Sequence, residues 1–278
     1  MAKKILLASG CSYTDKQYKS NDPSVNVDWP MWPEILADHL DLKCVNTGKS
    51  GQGADHIFDS IIEGIETYKK RVDTVAILWT GSDRLPFFNF TLNPLVEIQL
   101  PYEDEDLMGY NPFKWMDDIG IGSVSKKYFN SEHFARDSVY KQMILSPLKK
   151  MSTVIKLCEH HNIKLVMGQG LMYFDYHNIA DSTYRGKLPE RCAIDFSEVF
   201  KIFSKNPFFA HLDQNKKHII GWPFFKQLKG YSFDDLRYDP KLNIEEWDIS
   251  AIDSHPNKIG QELFANQFKE RYDELYSL

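Results

Sequence analysis

Three observations predict an α/β fold built on a mostly parallel sheet. Short apolar or β-branched runs alternate with stretches of helical spacing along the chain. Successive runs are separated by helices rather than by tight turns, which makes neighbouring strands parallel and covers both faces of the sheet with helices. Small residues (Ser12, Gly51 and Ser82) follow directly after the first three strands. The carboxyl ends of the strands are where an open sheet of this kind binds its ligands.

The first run, Lys4 to Ala8, reads as a buried strand. Pro33 to Leu40 has helical spacing and begins with a proline, which a first helical turn tolerates. Leu42 to Asn46 is a short strand. From His56 to Lys70, Ile57, Ile61, Ile62 and Ile65 share one face of an amphipathic helix. Thr74 to Trp79 is a buried strand. Val139 to His161 reads as a helix that Pro147 kinks or divides. Ile163 to Met167 supplies the next strand, and Ile259 to Tyr276 is the closing helix.

Two segments break the alternation. Residues 86–137 are aromatic-rich with an acidic middle (Tyr102 to Asp106), and residues 173–247 include Trp222-Pro223-Phe224-Phe225. Structureless loops of that length are rare in a compact domain, so both insertions are expected to carry structure of their own. Placed beside the strand ends they would wall or cover a site as specificity elements; decoration or an oligomer surface is the alternative.

A chain of 278 residues accommodates one large α/β domain or two small ones. With no repeat, low-complexity tract or flexible linker, one domain over residues 1–278 is expected. Charged residues make up 26% and hydrophobic ones 42%, the mix of ordinary globular proteins. The net charge of −6, with mixed signs along the chain, speaks against nucleic acid as a partner. No apolar run approaches a membrane span. Basic Lys3 and Lys4 before Ile5-Leu6-Leu7-Ala8 mimic the start of a signal peptide, but the apolar run is too short, so a first strand and a cytoplasmic location are expected. A virion-associated protein released by lysis would read the same way. Cys11, Cys44, Cys158 and Cys192 form no C-x-x-C pair and read as reduced thiols, with neither disulfide nor zinc site expected. The 14% aromatic content suits either a carbohydrate or acyl-chain cleft or a large aromatic core.

Three strings carry candidate chemistry. Gly10-Cys11-Ser12-Tyr13-Thr14 follows the first strand, and a serine on such a tight turn exposes its oxygen to an incoming base. On its own a serine there is usually a cap or turn residue. Asn46 to Gly53, after the second strand, supplies small residues whose backbone can approach a ligand, so the Gly51 N–H can donate to a developing oxyanion. The same string matches neither a Walker motif nor G-x-G-x-x-G. Asp253-Ser254-His255-Pro256-Asn257 precedes the last helix, and His255 at its mouth can serve as base for Ser12 and then as acid for a leaving alcohol.

Taken together, Gly10-x-Ser12-x-Thr14, Ser50-Gly51, the strand ending Trp79-Thr80-Gly81-Ser82-Asp83, and Asp253-x-His255-Pro256 resemble the four blocks of the SGNH (GDSL-like) hydrolases, in order and context. The resemblance spans nearly the whole chain, with the two insertions unaligned. It implies a flavodoxin-like three-layer α/β/α sandwich and acyl-ester hydrolysis, often of acetylated sugars or lipids, with no metal or organic cofactor. Carried onto this chain, it implies Ser12, His255 and Asp253 as catalytic residues, with the Ser12 and Gly51 amides and Ser82 as oxyanion donors.

The chain departs from the family pattern at three places. Cys11 stands where the family has an Asp before the nucleophile. Ser82 replaces the family's Asn, and losing one oxyanion donor can cost roughly 100- to 1,000-fold in rate; Arg84 or Asn89 are possible substitutes. The family's Asp stands three residues before the His, a position held here by Ile252, whereas Asp253 stands two before. In an extended segment residues i and i+2 share a side, so Asp253 can still orient His255. A Ser–His dyad, or Asp248 as the acid, is the alternative.

The expected function is therefore a serine esterase acting on small-molecule or glycan acyl esters, O-acetylated carbohydrate foremost. An O-acyltransferase using the same residues, or a non-catalytic carbohydrate-binding or assembly protein on the same fold, stands as the alternative; a nucleotide-binding α/β protein is disfavoured by the missing phosphate loop.

Overall fold

The structure, a computed structural model, describes residues 3–81, 84–87, 96–99, 132–171, 204–224, 228–236 and 247–277. Its centre is a five-stranded sheet built from β1 (Ile5–Gly10), β2 (Lys43–Asn46), β3 (Val72–Trp79), β6 (Lys164–Gln169) and β7 (Ile219–Ile220). The spatial order is β2-β1-β3-β6-β7, and every adjacent pair is parallel. Outside it lie two antiparallel pairs, β4 (Arg84–Phe87) with β5 (Val96–Gln99) and β8 (Asp248–Ser250) with β9 (Asp253–Pro256).

β1 and β3 read as continuous apolar runs because both of their faces are covered. Alternate residues point to opposite sides. Ile5, Leu7, Val75, Ile77 and Leu165 meet Ile57, Ile61 and Ile65 of α2 (Ala54–Tyr68) and Met151, Val154 and Ile155 of α3 (Glu132–His161). On the other face Leu6, Ala8, Ala76, Leu78 and Val166 meet Trp32 and Leu36 of α1 (Trp32–His39), and Phe264 and Phe268 of α6 (Lys258–Tyr276). The α/β sandwich expected from the alternation is therefore present. Isolated helices shorter than about 12–15 residues are marginal in water. The 8-residue α1 is thus held by tertiary burial, chiefly Trp32 stacked on Phe268 with ring centroids 4.3 Å apart.

Two expectations need adjusting. Helix α3 runs through Pro147 without dividing. A proline inside a helix costs about 3 kcal/mol; burying Pro147, Leu148 and Met151 against the core offsets it. Residues 173–247 are also more than an insertion. They supply edge strand β7, α4 (Pro207–Gln214) with Leu212 in the core, and α5 (Phe233–Leu236), whose Phe233 packs on Phe264 and Phe268. Within 86–137 the described parts are the end of β4 (Pro86 and Phe87), β5 and the start of α3. Cys11, Cys44 and Cys158 are free thiols, and Cys192 lies outside the described residues. Among the described residues no helix is long and apolar enough to cross a membrane.

The strand order places the functional end of the sheet. From β1 the chain moves to one side to form β2, then returns through α2 to form β3 on the other side of β1. Connections therefore diverge at the carboxyl ends of β1 and β3, the switch point where doubly wound sheets open a crevice. Ser12 follows β1 at that point.

Candidate active site

β1 ends at Gly10, and the chain folds over at once: the N–H groups of Thr14 and Asp15 donate to the Cys11 carbonyl at 2.8 and 3.1 Å. Only glycine fits at position 10. A Cβ there would stand 2.1 Å from Thr14 Oγ1 and 3.0 Å from the Leu78 carbonyl oxygen of β3. Thr14 is itself fixed, accepting from Trp32 Nε1 at 3.1 Å. The turn is thus clamped between β3 and α1, with Ser12 at its crest, 7% exposed.

The loop after β2 packs onto this turn. Lys49 N–H donates to the Gly10 carbonyl at 3.1 Å, and Asn46 Nδ2 donates to the Thr14 carbonyl at 2.7 Å. Asp15 Oδ2 accepts from both the N–H and the hydroxyl of Ser50, at 2.8 and 2.6 Å. Gly51 comes next, with φ +76° and open space where a side chain would project. Backbone conformation, rather than crowding, demands glycine there.

The β8–β9 hairpin delivers the third piece. Asn257 caps α6, its Oδ1 accepting from Ile259 N–H at 2.9 Å and Gly260 N–H at 3.2 Å. The cap ends the extended segment just beyond His255. In extended β9, Asp253 and His255 project to the same side. Asp253 Oδ1 lies 2.7 Å from His255 Nδ1, and His255 Nε2 lies 2.9 Å from Ser12 Oγ. With Nδ1 protonated and donating to the carboxylate, Nε2 is left as a base facing the hydroxyl.

The imidazole sits between two aromatic rings. Tyr18 lies over it with centroids 4.3 Å apart, and Tyr13 meets it edge-on at 5.5 Å. Tyr13 is anchored through its hydroxyl, which donates to Asp234 of α5 at 3.1 Å. Burial pushes the Asp253 carboxyl up, but donors outweigh it: the Ser20 hydroxyl, the His255 backbone N–H and ring, and the Asn21 N–H hold the group at about 2. Asp253 is 1% exposed and is therefore a buried, fully ionised carboxylate at neutral pH. Burial first, then the hydrogen bond to Asp253 and its charge, push the Tyr18 phenol well above its usual range.

Solved structures give chain-wide likenesses to this arrangement of elements. A protein of Desulfitobacterium hafniense described as lipolytic and of the G-D-S-L family shares 12% identity at a TM-score of 0.46, covering 96% of this chain and 99% of that one. A catalytic mutant of the acetylxylan esterase Axe2 from Geobacillus stearothermophilus shares 12% at 0.44, covering 97% and 94%. The psychrotrophic esterase EstA from a Pseudoalteromonas species, inhibited by monoethylphosphonate, shares 11% at 0.44, covering 99% and 100%. No protein-family model matches the chain, and no curated protein matches it.

Of the residues singled out from sequence, Ser12, His255 and Asp253 stand in one hydrogen-bonded row, and Gly51 stands on the loop tied to the Ser12 turn. Ser82 and Asn89, and the Arg84 side chain, lie outside the described residues. Asp248 belongs to β8, where it pairs with Pro256, while Asp253 occupies the Nδ1 side of the imidazole. Tyr18, Ser20 and the Asn21 N–H were not foreseen as partners of Asp253; their link crosses more than 230 residues and leaves no local pattern. Among the described residues no group of three or more His, Cys, Asp or Glu is placed to hold a metal ion.

Proposed function

We propose that this chain is a serine ester hydrolase of the SGNH (GDSL-like) kind, cleaving acyl esters through Ser12, His255 and Asp253. The observation that carries the reading is the row of hydrogen bonds from Asp253 Oδ1 through both imidazole nitrogens to Ser12 Oγ, at 2.7 and 2.9 Å. A serine hydroxyl needs such a base to become a nucleophile, and the base needs a third group to fix its tautomer.

In this mechanism Ser12 Oγ attacks the acyl carbonyl carbon while its proton passes to His255 Nε2. The carbonyl oxygen becomes an oxyanion, stabilised by the Ser12 and Gly51 amides and the Ser82 hydroxyl. When the intermediate collapses, the imidazolium returns the proton to the leaving alcohol and the acyl group remains on Ser12. A water molecule then attacks the acyl-serine, giving its proton to Nε2; that proton goes back to Ser12 Oγ as the acid departs. Asp253 stays ionised throughout and stabilises the imidazolium. O-acetylated carbohydrate is the substrate class proposed, on the strength of the aromatic residues in the two long segments, 86–137 and 173–247.

The test works whatever the substrate. A fluorophosphonate probe should label folded protein, with the adduct mapped to Ser12 by peptide mass spectrometry and lost in His255→Ala. No adduct on Ser12, with either this probe or a smaller phosphonate, would remove the hydrolase reading and leave a binding or assembly role.

A further inference from the structure

The segment that leaves the nucleophile returns to grip the acid. Six residues after Ser12, the Tyr18 hydroxyl stands 3.0 and 2.9 Å from the two oxygens of Asp253. The Ser20 hydroxyl donates to Oδ2 at 2.7 Å, and the Asn21 N–H donates to the same oxygen at 2.9 Å. From its own strand Asp253 receives the His255 N–H at 3.1 Å and Nδ1–H at 2.7 Å, both on Oδ1. We infer that Tyr18 and Ser20 are positioning residues, a two-hydroxyl clamp from the Ser12 loop that aims the Asp253 carboxylate at His255. This rests on the reading of Ser12, His255 and Asp253 as the reacting set.

The need for a clamp follows from spacing. An Asp two residues before a His on one strand shares its side, but a short side chain there has its own rotamer freedom. Oδ1 is held by two bonds from within β9, and nothing in β9 holds Oδ2. Among the described residues, its three hydrogen-bond donors all come from the 18–21 segment. Freed from them, the carboxylate could swing about its Cβ–Cγ bond and lose its line to Nδ1.

Tyr18 also brackets the imidazole proton. Its oxygen lies 2.7 Å from His255 Nδ1 as well as near Asp253. The phenol has one proton, and an ionised carboxylate is a stronger acceptor than a neutral imidazole nitrogen. The O–H is therefore committed to Asp253, and only an oxygen lone pair is left facing Nδ1–H. Two acceptors, Oδ1 and the phenol oxygen, then surround the Nδ1 proton, which keeps Nε2 bare toward Ser12. Among the described residues, the titratable groups bearing on Asp253 are Tyr18 and Asp22 from this segment and His255 from β9.

The experiment compares the full-length protein with Tyr18→Phe, which keeps the ring over the imidazole, and with Ser20→Ala and Ser20→Thr. Two readouts are taken: turnover of p-nitrophenyl acetate, and the titration of the Asp253 carboxyl followed by carbon-13 NMR. Each lost donor to a charged acceptor should lower kcat about 10- to 100-fold, with KM changed less than about twofold, as expected for an effect on the reacting groups alone. The Asp253 carboxyl should titrate at higher pH in both, and Ser20→Thr should restore kcat and titration. Folded variants with wild-type kcat and titration would overturn the clamp and leave these residues as loop scaffolding. Should Tyr18→Phe fail to fold, the Ser20 pair decides. Should the wild-type protein neither turn over esters nor take a phosphonate on Ser12, the hydrolase reading fails, while the carboxyl titration still tests the clamp.

Discussion

Replacing Asp253 with asparagine tests the site and the fold together. The two side chains have the same shape, so cost arises only from donors and charge. Each carboxylate oxygen accepts a backbone N–H that cannot turn: His255 N–H on Oδ1 and Asn21 N–H on Oδ2. Whichever way the amide is placed, its NH2 group faces one of these donors. An unsatisfied buried donor costs about 1–3 kcal/mol, and the remaining bonds lose their charge assistance. We expect Asp253→Asn to lose about 2–4 kcal/mol at neutral pH, read as a fall of about 5–10 °C in Tm for a chain of this size. A second test is pH. The folded-state pKa of Asp253 is depressed from 3.8 to about 2, so its contribution is fully present above about 4 and is lost as pH falls through 2. Linkage puts that contribution at about 2 kcal/mol, and Asp253→Asn should flatten this part of the stability–pH curve. With the amide in place Nδ1–H also loses its ionic partner, and the rate of fluorophosphonate labelling at Ser12 should fall about 1,000- to 10,000-fold. A variant that melts and labels like the wild type would refute this account of Asp253.

Two glycine substitutions separate crowding from conformation. Gly10→Ala pushes a methyl to 2.1 Å from Thr14 Oγ1 and against the β3 backbone; it should cost about 1–3 kcal/mol in urea unfolding and slow labelling of Ser12, and a wild-type midpoint would show that the turn can yield. Gly51→Ala meets no atom within 4 Å but places an L-residue at φ +76°; it should cost about 1–2 kcal/mol by the same measurement, and a wild-type midpoint would show that this position does not need glycine's backbone freedom.

Much of the sheet was legible because its strands are buried on both faces. Ile5-Leu6-Leu7-Ala8 and the run ending Leu78-Trp79 are apolar at consecutive positions, which few elements other than a central parallel strand require. α2 announced itself through Ile57, Ile61 and Ile65 at helical spacing. Strand β7 did not: Ile219–Ile220 is too short to show a period and follows the polar Lys216-Lys217-His218. It is a strand only because it pairs with Met167 and Gly168 of β6, a fact held in the neighbour's sequence as much as in its own. Pro147 is the opposite case: its local cost was readable in the sequence, and its burial in an undivided helix was not.

The same distinction separates the candidate site's visible residues from its hidden ones. Ser12, Gly51 and His255 each stand at a turn or strand end with its own local mark: a glycine, a proline, a cap. Asp253 was visible because extended backbone puts i and i+2 on one side. Tyr18 and Ser20 lie in a polar loop with no period, and what selects them is distance to a carboxylate more than 230 residues away. Their consequence nevertheless bears on the feature that looked weakest in sequence, the Asp displaced by one position. A carboxylate two residues before the His is short of holders on its own strand, and the loop that carries Ser12 supplies them. Ser12 and the Asp253 carboxylate are thereby both tied to one piece of backbone, residues 10–21, while His255 of β9 stands between them. Changes in that loop should therefore act on both ends of the Ser12–His255–Asp253 row at once, and effects of paired substitutions at Ser12-side and Asp253-side contacts should couple rather than add.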